Sequence, residues 1–379
     1  MGKFSDLSED IIIEIMSWLP PESLLQVKCV EKSWYNLINK LIKNPIFVVK
    51  HSNNSKKKKV TSLVIFTSYK GIRVGSLTIY NDEDNKSDLR CVEKDFEPLV
   101  RKHSGLFKYV IPTFVDVSHC NGIICFVDCL KKRFSLCNPA TGESKLIPDP
   151  CFPKDLGKFG IGYDHIAKVY KVVRIVRYFR FFIAEVYTPG DDDWREIEFD
   201  REQITHRHSF SHVYCKGLYY WLSDKIRYKH NKIVMSSFDM HSEEFRSIRL
   251  PGILESKDYN PSAYGNSLTV WNESVVLFCF PRKEWLKTKP IEMWVMDQGH
   301  QISQSWTKHV SINTEGIDNF KFPTVFLNSE ELLIQASHEG LFSYNIRTRQ
   351  TKSIRKGEVK WYQTFDYVKS LVSIDGEYP

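Results

Sequence analysis

With 379 residues, 42% of them hydrophobic and 26% charged, the chain has the composition of a globular protein with enough sequence for a large core. No stretch approaches the roughly 18 apolar residues that cross a bilayer, and Met1-Gly2-Lys3-Phe4-Ser5-Asp6 holds no apolar signal core, so a cytoplasmic chain is expected. Formal net charge is +7, none of it from residues 1–50, where six basic and six acidic side chains balance.

The first forty residues read as helices. Ser8 stands where it can cap a helix, with Glu9 and Asp10 against its positive end. Ile11, Ile12, Ile15, Met16 and Leu19 follow at helical spacing. Pro20-Pro21 stops this helix, and Pro21 suits the first turn of the next, which carries Leu24, Leu25 and Val27. A third segment sets Trp34, Leu37, Ile38 and Leu41 on one face and ends at Asn44-Pro45. Three short helices make a poor independent core and hold more apolar residues than it can hide. They either pack on the rest of the chain or leave part of the surplus for a partner. The run Lys56-Lys57-Lys58-Lys59, after Asn53-Asn54-Ser55, reads as a solvated loop.

From Val60 the period changes to short strands, such as Gly122–Val127, Gly217–Leu222, Ser274–Phe280 and Glu331–Ala336. Turn residues recur at 81, 138, 188, 239, 297 and 345, spaced 57, 50, 51, 58 and 48 apart. A period near fifty suits four-stranded blades, and six anchors predict a mainly β, six-bladed propeller-like domain over 51–379, after a helical module over 1–50. A set of β-sandwich modules is the alternative. Without any Gly-Gly or Trp-Asp pair, the kelch and WD40 motifs have no support.

Two groups of residues carry a resemblance. Leu7-Ser8-Glu9-Asp10, Glu14-Ile15-Met16-Ser17-Trp18-Leu19-Pro20, Glu22-Ser23-Leu24-Leu25, Val27-Lys28-Cys29-Val30 and Lys32-Ser33-Trp34-Tyr35-Asn36-Leu37-Ile38 together resemble an F-box. Cys120-Asn121-Gly122-Ile123-Ile124-Cys125, Cys137-Asn138-Pro139-Ala140-Thr141-Gly142-Glu143, Phe159-Gly160-Ile161-Gly162-Tyr163-Asp164, Ser237-Phe238-Asp239-Met240 and Ser343-Tyr344-Asn345 resemble the F-box-associated domain of plant F-box proteins. Within that group the chain is similar to the S-locus F-box proteins of pollen. The resemblance implies a non-catalytic substrate-recognition subunit of an SCF-type ubiquitin ligase. Its expected partners are a Skp-type linker, a cullin–RING scaffold and a protein substrate, an S-type ribonuclease in the self-incompatibility case. An F-box receptor for an unrelated target, or a propeller enzyme, are the alternatives. The residues expected to meet the linker are Leu7, Ile15, Leu19, Pro20, Leu24, Val27, Val30 and Trp34.

No phosphate loop, dinucleotide fingerprint or nucleophile elbow is present, and no cofactor is expected. Cys120, Cys125, Cys129 and Cys137 lack paired zinc-knuckle spacing and read as buried thiols. His206-Arg207-His208 and His212 read as a solvated loop. Because S-type ribonucleases are generally basic, target contact is expected at local acidic groups: Asp191, Asp192, Asp193 and Glu196.

Overall fold

The computed structural model describes residues 7–57, 61–68, 72–81, 89–95, 115–128, 133–152, 157–179, 181–191, 193–199, 209–227, 230–256, 259–260, 263–282, 289–297, 305–313, 320–336, 340–355 and 364–374. Helices α1 (Glu9–Trp18), α2 (Pro21–Val27) and α3 (Lys32–Ile42) occupy the expected places. A fourth, α4 (Pro45–Lys57), corrects the reading of a loop around Asn53-Asn54-Ser55 and Lys56-Lys57. Asn44-Pro45 does end α3, but it also starts α4. The Ile46 amide donates to Asn44 Oδ1 at 2.9 Å, and Pro45 takes the first helical position, where a missing N–H costs nothing. α4 then closes the end of α1. His51 Nε2 donates to the Leu19 carbonyl at 2.8 Å, and Asn54 Nδ2 donates to Ser17 Oγ at 2.8 Å. Ser8 holds the N-cap position of α1 without a side-chain cap bond.

Beyond these helices the described residues form six four-stranded antiparallel sheets. The first contains β1 (Thr61–Ser68), β2 (Ile72–Asn81) and β3 (Leu89–Asp95), and its inner strand is β24 (Thr364–Tyr367), from the far end of the sequence. The second is β4 (Val115–Cys120), β5 (Ile123–Asp128), β6 (Arg133–Asn138) and β7 (Glu143–Leu146). The third is β8 (Lys158–Asp164), β9 (Val169–Tyr178), β10 (Phe181–Tyr187) and β11 (Arg195–Ile197). The fourth is β12 (Ser209–Cys215), β13 (Leu218–Arg227), β14 (His230–Asp239) and β15 (Phe245–Ile248). The fifth is β16 (Tyr264–Trp271), β17 (Ser274–Pro281), β18 (Ile291–Asp297) and β19 (Ser305–Ile312). The sixth is β20 (Phe320–Phe326), β21 (Glu331–Ala336), β22 (Gly340–Asn345) and β23 (Thr351–Arg355). Inner strands β4, β8, β12, β16, β20 and β24 neighbour one another in that order, and His119 of β4 stacks on Phe365 of β24 at 4.0 Å to close the ring. This is a propeller, with the first blade sealed by the last strand.

The turn anchors fall at one structural point. Asn81, Asn138, Asp239, Asp297 and Asn345 end the third strand of their blades, counted from the axis, and Thr188 follows the end of β10. Three of these side chains bind the backbone of the turn they begin. Asn138 Oδ1 accepts from the Ala140 amide, Asp239 Oδ1 from His241 and Ser242, and Asn345 Oδ1 from Arg347 and Thr348. A short side chain that imitates a backbone turn is what a tight reversal selects.

All inner strands run the same way. Ser118 Oγ accepts from the Ile161 amide, Tyr214 Oη donates to the Tyr163 carbonyl, Ser211 Oγ accepts from Leu268, and Ser267 Oγ donates to Pro323. The turns β4–β5, β6–β7, β8–β9 and β10–β11 therefore share one rim, and the β9–β10 turn lies on the other. The helices sit on the first rim, against the second blade.

Between helices and blade runs the segment 368–374. Leu371, Val372 and Ile374 are buried in a single core with Met16, Leu24, Ile38 and Phe47 of the helices and Cys120, Ile123, Phe134 and Leu136 of the blade. The fully buried Asn138 donates from Nδ2 to the carbonyls of Ser370 (3.0 Å) and Val372 (2.7 Å). Gly122, at φ +88°, leaves no room for a side chain, since a Cβ there would stand 2.6 Å from Ser370 Cβ. On the other side Lys369 pairs with Glu22 of α2 at 2.8 Å, and the Ile374 amide donates to Glu143 Oε2. Asn138→Ala removes three hydrogen bonds and strands buried carbonyls at roughly 1–3 kcal/mol each. The expected result is a clearly lowered urea midpoint. Helix 9–18 should also gain hydrogen exchange, although it lies far from residue 138 in sequence.

Candidate functional site

α1 is apolar on more than one side. Met16 and Ser17 are buried, and Ile12 and Ile13 pack against the same core. That leaves Ile11 (49% exposed), Ile15 (38%) and Trp18 (41%) at i, i+4 and i+7 on the outer side, with Leu7 exposed just before the helix. The indole of Trp18 donates to Glu14 Oε1 at 2.9 Å, and Glu14 pairs with Lys50 of α4, so the stripe is flanked by fixed charge. Val30, Tyr35 and Ile46 add further exposed apolar groups on the helical module. Such a concentration of exposed aliphatic and aromatic groups makes this side of the helices a candidate docking face.

Of the residues expected on this face, Leu7, Ile15, Pro20 and Val30 are exposed. Leu19, Val27 and Trp34 are partly buried and pack against the shared core. Leu24 corrects the expectation. It has no exposed surface and belongs to the internal core, because α2 turns that side towards α3 and the segment 368–374. Ile11 and Trp18 were missed. The signal was the count of apolar residues on α1, which exceeds what one stripe can bury.

The acidic turn expected to hold a target lies at β10–β11. Asp191, Asp193 and Glu196 are exposed, and the Asp191 amide closes the turn on the Thr188 carbonyl at 3.0 Å. Asp192 lies outside the described residues. The turn stands on the rim that also carries the helices.

His206, Arg207 and His208 lie outside the described residues. His212 is on strand β12 rather than a loop, since it pairs with Trp221 in the ladder. At the propeller centre its Nδ1 lies 2.5 Å from Tyr219 Oη, which lies 2.8 Å from Ser118 Oγ. Ser118 and Tyr219 are buried, and the Tyr219 ring fills the space that a Cβ on Gly160 would take. These contacts join the second and fourth blades, and Ile161 of the third donates its amide to Ser118 Oγ. Cys120, Cys125 and Cys137 are buried, with burial pushing the Cys137 thiol up, whereas Cys129 lies outside the described residues. Among the described residues no helix is long and apolar enough to cross a membrane.

A ring-shaped β platform with an oily helical head fixed to one rim defines a class: a two-part interaction module. The chain belongs to the family described as F-box associated beta propeller domain, whose model matches residues 42–374, and the F-box domain model matches residues 4–45. Similar proteins in Arabidopsis thaliana include a probable F-box protein, 24% identical over 98% of this chain and 87% of the relative. Another is an F-box/kelch-repeat protein, 24% identical over 99% and 96%. A putative F-box protein is 28% identical over 84% and 82%. Among solved structures, the nidogen/laminin complex aligns over 82% of this chain and 99% of that chain, with TM-score 0.45 and 11% identity.

The ring centre gives a pH prediction. Burial first, then the neighbouring His212, lowers the His119 pKa to about 3. His119 is thus neutral in the fold, while the unfolded chain takes up a proton below about 6.5. Its contribution is present above that value and is lost as pH falls towards 3, on the order of 1 kcal/mol per pH unit. Urea midpoints at pH 7 and pH 5 should differ more for the native sequence than for His119→Gln.

Proposed function

We propose that the protein is the substrate-recognition subunit of an SCF-type ubiquitin ligase. The helical face binds a Skp-type linker, which joins it to a cullin–RING scaffold, and the propeller holds the protein to be modified. The observation that carries this reading is the outer stripe Leu7, Ile11, Ile15 and Trp18, exposed to solvent while Met16 is buried in the core and Ile12 and Ile13 pack against it. Each such side chain contributes about 1.5–3 kcal/mol when a partner buries it, before the costs of association. On this reading the subunit supplies proximity and orientation, and a separate enzyme carries out the transfer.

The finer reading, an S-locus F-box protein directed at S-type ribonucleases, draws its support from motif resemblance. Its acidic groups Asp191, Asp193 and Glu196 lie on the helix rim, so a ribonuclease held there would sit beside the linker. The net charge of +7, all beyond residue 50, favours a second reading in which the target is an unrelated and acidic protein.

Ile11→Asp with Ile15→Asp should abolish co-purification with a Skp-type linker and leave the thermal transition of the chain in place. Retained capture would contradict the assignment. Leu24→Asp is the control for folding: it should lower stability by several kcal/mol, because it places an unpaired charge in the shared core.

A further inference from the structure

The rim opposite the helices carries an aromatic tip. β9 ends at Tyr178 and β10 begins at Phe181, and the two pair directly across the turn. Phe179 is 72% exposed and Phe181 is 51% exposed. Tyr178 braces the tip, with its ring edge-on to Phe179 at 4.8 Å and to Phe152 at 5.2 Å. The exposed Arg177 donates from Nε to the Phe179 carbonyl at 3.2 Å, which holds a guanidinium at the tip.

Phe179 also sits at φ +53°, in the left-handed region that disfavours a bulky side chain. Glycine or asparagine would suit that backbone better. The one folding contact of this ring that offsets the backbone cost is its edge-on packing on Tyr178. The ring is open to solvent, and the backbone beneath it is strained. Strain and exposed aromatic surface together are features of binding sites. Aromatic rings beside an arginine are also the side chains that dominate protein interfaces.

We propose that Arg177, Tyr178, Phe179 and Phe181 form the anchor for the target polypeptide, and that the target presents an apolar side chain next to carboxylates. This rests on the ligase reading, since that reading requires a second partner on a face still open when the helices are occupied. The β9–β10 turn lies on the rim away from the helices and meets that condition, whereas the acidic β10–β11 turn shares the rim of the helices. The acidic character of the target follows from the guanidinium at the tip and from the positive surplus carried beyond residue 50.

Selection of a phage-displayed library of random 12-residue peptides on the full chain tests this, with an Arg177→Ser, Phe179→Ser chain as the parallel bait. Enriched peptides should carry net negative charge and a large apolar residue, and the doubly substituted chain should bind them at least tenfold more weakly. Failure to enrich, a pool without acidic bias, or equal binding to both baits overturns the proposal. Phe179→Gly separates binding from packing. The melting temperature should hold or rise while peptide affinity falls, whereas a lowered melting temperature with unchanged affinity makes the ring structural and overturns the anchor. Capture of a Skp-type linker is measured on the same baits. Both should retain it, and its loss from the unsubstituted chain would count against the ligase reading, separately from the anchor.

Discussion

The structure depends on a strap. Residues 368–374 lie between a propeller blade and the helical head, and their apolar side chains fill a core that neither part completes alone. Three buried residues of this segment, Leu371, Val372 and Ile374, are of the kind that contribute about 1.5–3 kcal/mol each on full burial. The hydrogen bonds of Asn138 fix the direction of the strap, and the lack of a side chain at Gly122 lets it approach the β4–β5 turn. Because β24 immediately precedes it, the same stretch of sequence both seals the ring and seats the helices. α4 and the shared core take the inner side of α1, which leaves its oily stripe on the outside. A receptor built this way presents its two partners at a set distance and angle instead of swinging one past the other.

Much of this was legible in the sequence. The anchors at 138, 239 and 345 were visible because a tight reversal needs a short polar side chain that can bond its own backbone, and only Asn, Asp, Ser or Thr supply one. Their spacing reported the length of a blade. The runs Gly122–Val127 and Ser274–Phe280 lie within one residue of β5 and β17 at each end. The run Glu331–Ala336 coincided with β21.

What stayed hidden depended on contacts between residues far apart in the chain. α4 was missed because Asn53-Asn54-Ser55-Lys56 has a loop composition, and its helix is secured by His51 and Asn54 bonding back to α1. Leu24 and Ile11 look equivalent in an apolar pattern. Leu24 is buried in a core shared with the strap, which lies more than 300 residues later in the sequence. Asn138 was read as a turn residue, which it is, but its amide also holds a segment more than 230 residues away. The rim on which Asp191 and Asp193 stand follows from the direction of the inner strands, which periodicity does not encode.

The measurement that bears most directly on this account is native-state hydrogen exchange across the whole chain as a function of urea. If head and blade share one core, the slowest amides of α1 and α3, of β5 and β6, and of segment 368–374 will open together, with the same free energy and the same dependence on urea. Separate opening of residues 9–42 at much lower urea, with β5 and β6 still protected, would mean that the helical head is an independent unit on a tether, and the account would be wrong.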